Sequence, residues 1–514
     1  MFRVADLVVL LLYLLVMAAM GVYFMRRNVG TEEYFLGGRS FPGWAVGISM
    51  LGTSISSVTF LALPAAAYAL DYRQLTPHLV MPFVAVAACF LFIPFFRRGK
   101  NVSAFQYLEE RFGSGIRFYA ALYYLLHTLL KLAIVLYLLG LPIAAMTGYE
   151  ERLVLVVIGI VIAFYTIVGG ISAVIWTDVV QTVILLFGGF FCMVTALIRI
   201  PGGLSQVFLI GMEYQKFSLG PLDFSFGERT LPVMILLGLV TFIGEFVSNQ
   251  NVVQRYIAAK SLREARKATL ICGVMSLPTW GFFFFLGSVI FVYYKIFPCE
   301  AVASLSADEV LPHFILTTTW PGIGGLIIAA CLAAGMSSLD SSINSVATVA
   351  TVDFLKKFRP ATGERAALRF AWLVSAAAGG VMIGGAVGIS YLPRESVYDL
   401  SLTLGAIFCC ATLTPFLLGF FTTRVDNRAI LVGMGAAIVF SIYNILHFFG
   451  LLPEYLRLDA HIYLAGTLCN VVMLVVALAA ALFRPGRQEK LQGLTVWTVE
   501  RFKPVEKRTD SEKN

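Results

Sequence analysis

Charge is scarce in this sequence. Acidic and basic residues together make up 13% of its 514 positions, about half the share of an average soluble domain, near 25%. No polar stretch is long enough to build a soluble domain, so a chain of soluble modules is excluded. Metal and disulfide chemistry also have little to work with. The eight cysteines lie mostly in apolar segments without ligand or bridge spacing (Cys409 and Cys410 are merely adjacent), so they read as small apolar filler. HExxH and any evident nucleophile–base pair are missing, which argues against an enzyme even though Asp178, Asp340, His78 and His127 supply acids and bases.

Long apolar runs take up most of the chain: 59% of the residues are hydrophobic. Runs of this length are membrane-span signals. The candidate spans are Val4–Phe24, Pro42–Leu70, Thr76–Phe96, Phe118–Met146, Leu153–Val168, Val174–Ile198, Leu231–Tyr256, Ala268–Tyr294, Gly322–Thr351, Phe370–Ile389, Ser396–Phe421, Ala429–Phe449 and Ala460–Phe483. They are too long and too uniformly apolar for barrel strands, so the expected fold is all-α and integral to the membrane, with thirteen helices. Val4–Phe24 lacks the basic start and cleavage site of a signal peptide and is expected to be retained. Residues 1–484 are expected to form one transmembrane domain and 485–514 a short, partly disordered cytoplasmic tail.

An odd number of spans puts the termini on opposite sides. With the N-terminus outside, most of the 38 Lys and Arg become cytoplasmic, including "RRGK" (Arg97–Lys100), "KSLREARK" (Lys260–Lys267) and "KKFR" (Lys356–Arg359). The positive-inside rule therefore orients the chain with its C-terminus in the cytoplasm. The net charge of +8 reads as topology and contact with the lipid leaflet. It does not point to nucleic acid.

Polar residues at membrane depth normally face a cavity or a partner. In "GISMLGTSISSVTFLALP" (Gly47–Pro64), Gly, Ser and Thr weaken a helix that Pro64 interrupts, which reads as a broken transporter helix or as small-residue packing. "GMSSLDSSINS" (Gly335–Ser345) spreads hydroxyls over half a helix circumference. Packing explains its serines but not Asp340, since an aspartate at the helix centre costs about 2.5–3.5 kcal/mol. Clustered oxygens at that depth suit a hard cation. Lys131 lies about 20 Å from the cytoplasmic end of its span, too deep to snorkel. Its partner is either a substrate carboxylate or Glu245, and His127 sits one turn away. Asp178, in "GGISAVIWTDVVQ", either complements a helix N-terminus after a tight Gly-Gly turn or lines an ion path.

Taken together, "AFQYLEERFG" (Ala104–Gly113), the "GGISAVIWTDVVQ" block, "NQNVVQR" (Asn249–Arg255) and "AAGMSSLDSSINS" (Ala333–Ser345) resemble the sodium:solute symporter family, which has the LeuT-type fold. "GTSISSVTFLALPAAAY" looks most like the bacterial sialic-acid symporters, and the monocarboxylate, vitamin and iodide branch is similar there. The resemblance implies a core of two five-helix repeats of inverted topology, Pro42–Ile198 and Leu231–Phe421, with one helix before and two after. It implies a main sodium site of the Gly52, Ile55 and Ala334 carbonyls with the Ser337 and Ser338 hydroxyls. A second sodium site would use Asp178, Ser337, Asp340 and Ser341, where Asp340 replaces a serine of the family pattern. Substrate contacts would come from Ser54, Ser56, Thr59, His78 and Lys131, with Glu245 in the same region. Lys131 stands where an arginine grips the sialic-acid carboxylate, and His78 where a glutamine sits.

These residues lead to the expectation of a monomeric symporter of the plasma membrane (the bacterial inner membrane). It would use one or two sodium ions to import a small organic anion such as sialic acid (N-acetylneuraminate) by alternating access. The same pattern admits a monocarboxylate, vitamin or sugar as cargo. A sensor or channel on a transporter scaffold is a different class, and the short tail leaves no room for a kinase domain.

Overall fold

Every regular element among the described residues of the computed structural model is a helix, and the only extended pairing is one isolated bridge, Phe41 to Ala259. The structure describes residues 4–25, 30–55, 58–97, 101–391, 411–448, 450–458, 461–483, 491 and 493–497. Ser56, most of the expected span Ser396–Phe421 and most of the tail 485–514 lie outside them.

The principal helices are α1 (Val4–Met25), α2 (Gly43–Ser54), α3 (Leu63–Ala69), α4 (Met81–Leu91), α5 (Ser114–Thr147), α6 (Glu151–Arg199), α7 (Leu231–Val247), α8 (Gln250–Ala258), α9 (Leu262–Ile296), α10 (Ile323–Val349), α11 (Glu364–Ile389), α12 (Leu413–Phe421), α13 (Asn427–Phe448) and α14 (Ala465–Leu482). Among the described residues, eight helices are long and apolar enough to cross a membrane. The count is ten if each of two bent pairs, α2 with α3 and α7 with α8, is one span.

Several expected elements take a different form. The spans Leu153–Val168 and Val174–Ile198 are one helical run, α6, broken at Gly170 (φ 58°, ψ −165°). A Cβ there would fall 2.8 Å from the Tyr34 ring and 2.9 Å from the Tyr34 carbonyl oxygen, so the break needs glycine for both its dihedrals and its space. Thr76–Phe96 is kinked. Three prolines divide it into a 3₁₀ turn (Thr76–Val80), α4 and a last turn, Ile93–Phe96, because each removes a backbone donor. Hydropathy does not mark the short helices Thr31–Leu36, Phe105–Phe112, Gly203–Glu213 and Ala307–Thr318. The last is set instead by a capping box of Ser306 and Glu309.

α10 is the post around which the others stand. Every residue from Ile327 to Val349 is buried, and the helix packs against α6 above all and against α5, α1, α11 and α2. The outer helices invert the pattern of a water-soluble protein. α1 exposes Leu7, Val8, Leu11, Leu12 and Leu15, and α6 exposes Val157, Ile160, Phe164 and Phe187. Continuous apolar faces of this kind suit hydrocarbon.

Helices that end inside the protein leave carbonyls without partners, and cations from other elements satisfy them. Arg97 Nη1 donates to the Tyr256, Ile257 and Ala259 carbonyls at 2.7–2.9 Å, at the end of α8. Arg111 donates to Thr422 and Val425 just past α12. Lys216 donates to Tyr68 and Leu70 at the end of α3. At the opposite pole, Asp6 accepts from the Gly322 and Gly325 amides, 2.8 Å each, at the start of α10.

A charge cluster ties the start of α5 to the segment after α10. Arg117 donates to Asp353 at 2.8 Å and also to Glu109, and Lys357 pairs with Glu109 as well. Asp353 is fully buried, so Arg117→Met strands its carboxyl. We expect this to lower the melting temperature of detergent-solubilised protein, corresponding to about 3–5 kcal/mol. Burial pushes the Glu109 carboxyl up, but hydrogen bonds from Lys357 and Arg117 outweigh it and hold the group below its ordinary range. A depressed carboxyl stabilises the fold only while ionised. Its contribution should therefore be complete above about pH 4.5 and fade as the pH falls further. Thermal scans of wild type and Glu109→Gln should converge toward acid pH.

Candidate ion and substrate sites

The two bent pairs create the site. α2 meets α3 at 64° and α7 meets α8 at 47°. Ile55 leaves helical geometry (φ −97°, ψ 107°), so the last carbonyls of α2 lose their regular partners. α10 lies directly across this break. Ser338 Oγ donates to the Thr53 carbonyl at 3.1 Å. A Cβ on Gly52 would fall 2.3 Å from Thr182 Oγ1 of α6 and 3.2 Å from Ser337 Oγ of α10, so glycine lets α6 pack this closely on α2 and leaves room for Ser337. Ile55 and Ala334 are both buried. Backbone oxygens of α2 and hydroxyls of α10 thus share one small region, a donor set suited to a hard cation.

Next to it lies a buried ion pair. Asp178 Oδ2 accepts from Arg255 Nη2 at 2.9 Å and from Ser49 Oγ, and Oδ1 accepts from Ser337 Oγ. Arg255 also donates to Ser49 Oγ (2.8 Å), the Asn251 carbonyl (2.9 Å) and Ser341 Oγ. Asp178 therefore bonds side chains from three other helices, and complementing its own helix N-terminus does not describe its role. Asp340 Oδ2 accepts from Tyr165 OH at 2.9 Å and Oδ1 from Ser341 Oγ at 3.2 Å. Two buried carboxylates stand here beside one guanidinium.

The rest of the Gly335–Ser345 stretch holds helices together. Ser342 accepts from Asn251 (3.3 Å), Asn344 from Gln254 (2.9 Å) and Ser345 from Tyr124 (2.8 Å).

Beside the α2 break opens a cavity of about 450 Å³, lined by Ser54, Thr59, His78, His127, Lys131 and Glu245 among others. All the expected substrate contacts within the described residues therefore meet in one space. Lys131 and Glu245 do not pair. Lys131 makes no hydrogen bond or ion pair with any described residue, while Glu245 Oε2 accepts from Asn249 Nδ2 at 2.8 Å. His78 packs on Trp280 (4.1 Å between ring centroids) and Phe242, which forms an aromatic wall.

The profile of the family described as "Sodium:solute symporter family" matches residues 34–436. The chain belongs to the sodium:solute symporter family. It is 32% identical over 498 residues to the sodium/sialic acid symporter SiaT of Proteus mirabilis, covering 95% of this chain and 97% of SiaT. It is 31% identical to the sodium/sialic acid symporter NanT of Aliivibrio fischeri, over 85% of this chain and 87% of NanT. The human sodium/iodide cotransporter is 29% identical over 85% of this chain and 69% of its own length. Among solved structures, a substrate-bound, outward-open Na⁺-coupled sialic acid symporter superposes with a TM-score of 0.86 at 31% identity, covering 95% of this chain and 100% of that one. MHP1, a nucleobase-cation-symport-1 family transporter, superposes at 0.57 with 14% identity over 90% of this chain and 97% of its own, which speaks to the fold alone.

Sequence reasoning missed Arg255, Ser49, Tyr165, Asn249, Asn251 and Trp280. Arg255 closes the "NQNVVQR" motif at the end of an apolar run, where a basic residue reads as a membrane-surface anchor. The bend between α7 and α8 instead carries it inward until it is 1% exposed. Arg255→Met would leave Asp178 without its cation, and we expect a loss of about 3–5 kcal/mol, read as a lower melting temperature in detergent. Arg255→Lys should recover only part of it, because one ammonium cannot span Ser49, Asn251 and Asp178 as the planar guanidinium does.

Proposed function

We propose that this chain is a sodium-coupled secondary active symporter importing a small organic anion, of which sialic acid is the leading case. The observation that carries the reading is the cavity: it gathers Ser54, Thr59, His78 and Lys131 beside the α2 break, where α10 brings its hydroxyls against α2. The sodium/sialic acid symporters among the relatives support the cargo.

In this mechanism sodium binds the Gly52, Ile55 and Ala334 carbonyls with the Ser337 and Ser338 hydroxyls and ties α2 to α10. The substrate carboxylate binds Lys131. Closure on the outside and release of sodium to the inside complete the cycle. A second sodium would use Asp178, Ser337, Asp340 and Ser341. The two carboxylates facing a single guanidinium favour one more cation there. Two sodium ions with a monoanion move one net charge, worth about 2.3 kcal/mol per 100 mV. One sodium with a monoanion is electroneutral and draws only on its gradient, about 1.4 kcal/mol per tenfold ratio.

The architecture belongs to the same proposal. The bent pairs α2/α3 and α7/α8 each open one of the five-helix repeats, Pro42–Ile198 and Leu231–Phe421, as inverted repeats with discontinuous first helices would have it. Dividing α6 at Gly170 and counting Thr76–Phe96 and Ser396–Phe421 completes thirteen spans. The N-terminus then lies outside and the C-terminus in the cytoplasm of a bacterial inner membrane, and residues 1–484 act as one monomeric transport domain. The function is transport, with no chemical step.

Purified protein in liposomes, given an inward sodium gradient, should accumulate labelled N-acetylneuraminate. A lack of sodium-dependent uptake across a wider panel including lactate and glucose would sink the symport reading. Ser338→Ala should raise the sodium concentration for half-maximal uptake, and an unchanged sodium dependence would count against Ser338 as a ligand. Lys131→Met should abolish uptake of the anion; full retention would make the lysine structural.

A further inference from the structure

The substrate cavity contains one lysine and one glutamate that do not neutralise each other. Lys131 projects from α5 without a hydrogen-bond or ion-pair partner among the described residues, and Glu245 projects from α7 with one carboxylate oxygen on Asn249 and the other without a partner among them. Among the described residues that line the cavity, His78 and His127 are the other side chains able to carry charge near neutral pH.

A simple monocarboxylate would satisfy only half of this arrangement. Its carboxylate on Lys131 would leave the second Glu245 oxygen facing an apolar ligand, and a carboxylate oxygen shut off from water without a donor of its own is costly. One acceptor, the second carboxylate oxygen of Glu245, therefore awaits a donor from the ligand, while one donor, Lys131, awaits its anion. The volume of about 450 Å³ exceeds what a three-carbon acid fills. His78, Phe242 and Trp280 pack on one another and supply apolar lining for a ring or chain between the two poles.

From this we infer that the substrate has two poles: a carboxylate read by Lys131, and hydroxyl or ammonium donors read by Glu245. The inference rests on the anion-symport reading of this cavity and narrows it. Polyhydroxylated acids and zwitterions belong to this class, and plain monocarboxylates do not. Glu245 then acts as a selectivity filter, because a site built to receive donors rejects ligands that lack them.

The test is calorimetric titration of the purified full-length protein in sodium buffer with four probes. N-acetylneuraminate and gluconate bring hydroxyl donors, β-alanine brings an ammonium, and propionate brings neither. We expect propionate to bind at least about tenfold more weakly than the best donor-bearing acid. Glu245→Gln should weaken the donor-bearing acids by about tenfold and so bring them toward propionate, with Glu245→Asp falling between. A larger loss for β-alanine than for the hydroxylated acids identifies the second pole as ammonium, and the reverse identifies it as hydroxyl. Propionate binding as tightly as the others, or an equal loss for all probes in Glu245→Gln, overturns the two-pole substrate while leaving anion symport standing. A wild-type protein that binds none of the four in sodium overturns the organic-anion reading of this cavity, on which the inference rests.

Discussion

The interior of this protein is organised around the ion pair of Asp178 and Arg255. Neither charge is tolerable alone at that depth, and the desolvation of both is offset only because hydroxyls and a carbonyl complete their hydrogen bonds. The pair therefore dictates who its neighbours are. Ser49 brings α2, Ser337 and Ser341 bring α10, and the Asn251 carbonyl of Arg255's own helix takes one of its remaining donors. Moving any one of these helices alone breaks charge-assisted bonds. The candidate ion sites use the same serines, so whatever binds there acts directly on the contacts that hold the core helices in register.

This explains why α10 is so unusual in composition. A helix buried on all sides needs no polar face for solvent, and in hydrocarbon surroundings its neighbours supply little attraction beyond close packing and hydrogen bonds. Its small and hydroxylated residues meet both demands. The upper and lower parts of Gly335–Ser345 do different work: Ser337, Ser338 and Ser341 face α2 and the ion pair, while Ser342, Asn344 and Ser345 join α8 and α5 through Asn251, Gln254 and Tyr124.

Much of this was legible in the sequence, for stated reasons. Apolar length marks helices because hydrocarbon leaves the backbone no other choice, and among the described residues eight helices, or ten with the two bent pairs, are long and apolar enough to cross a membrane. Residues that are chemically out of place, such as Lys131, Asp340 and the hydroxyls beside Pro64, pointed to the cavity and to the buried polar cluster because depth makes them costly. Residues that look in place until the chain bends were not legible. Arg255 sits at the end of an apolar run and becomes central only through a 47° bend, and Tyr165 reads as an ordinary aromatic until α6 brings its hydroxyl to Asp340. The open choice for Lys131 between Glu245 and an external anion turned on the separation of two helices, which no one-dimensional pattern encodes.

The cations that cap α3, α8 and α12 have a mechanical consequence. Each sits on a segment distant in sequence from the helix it closes, and each satisfies carbonyls that have no alternative partner once water is excluded. A half-helix cannot leave its capping segment without exposing several bare acceptors, so the two are coupled as one body. α3 is tied to the loop that carries Lys216, and α8 to the turn after Ile93–Phe96 that carries Arg97. The hinges of this protein are then defined by where the caps stop, and the parts that move as blocks need not be contiguous stretches of chain.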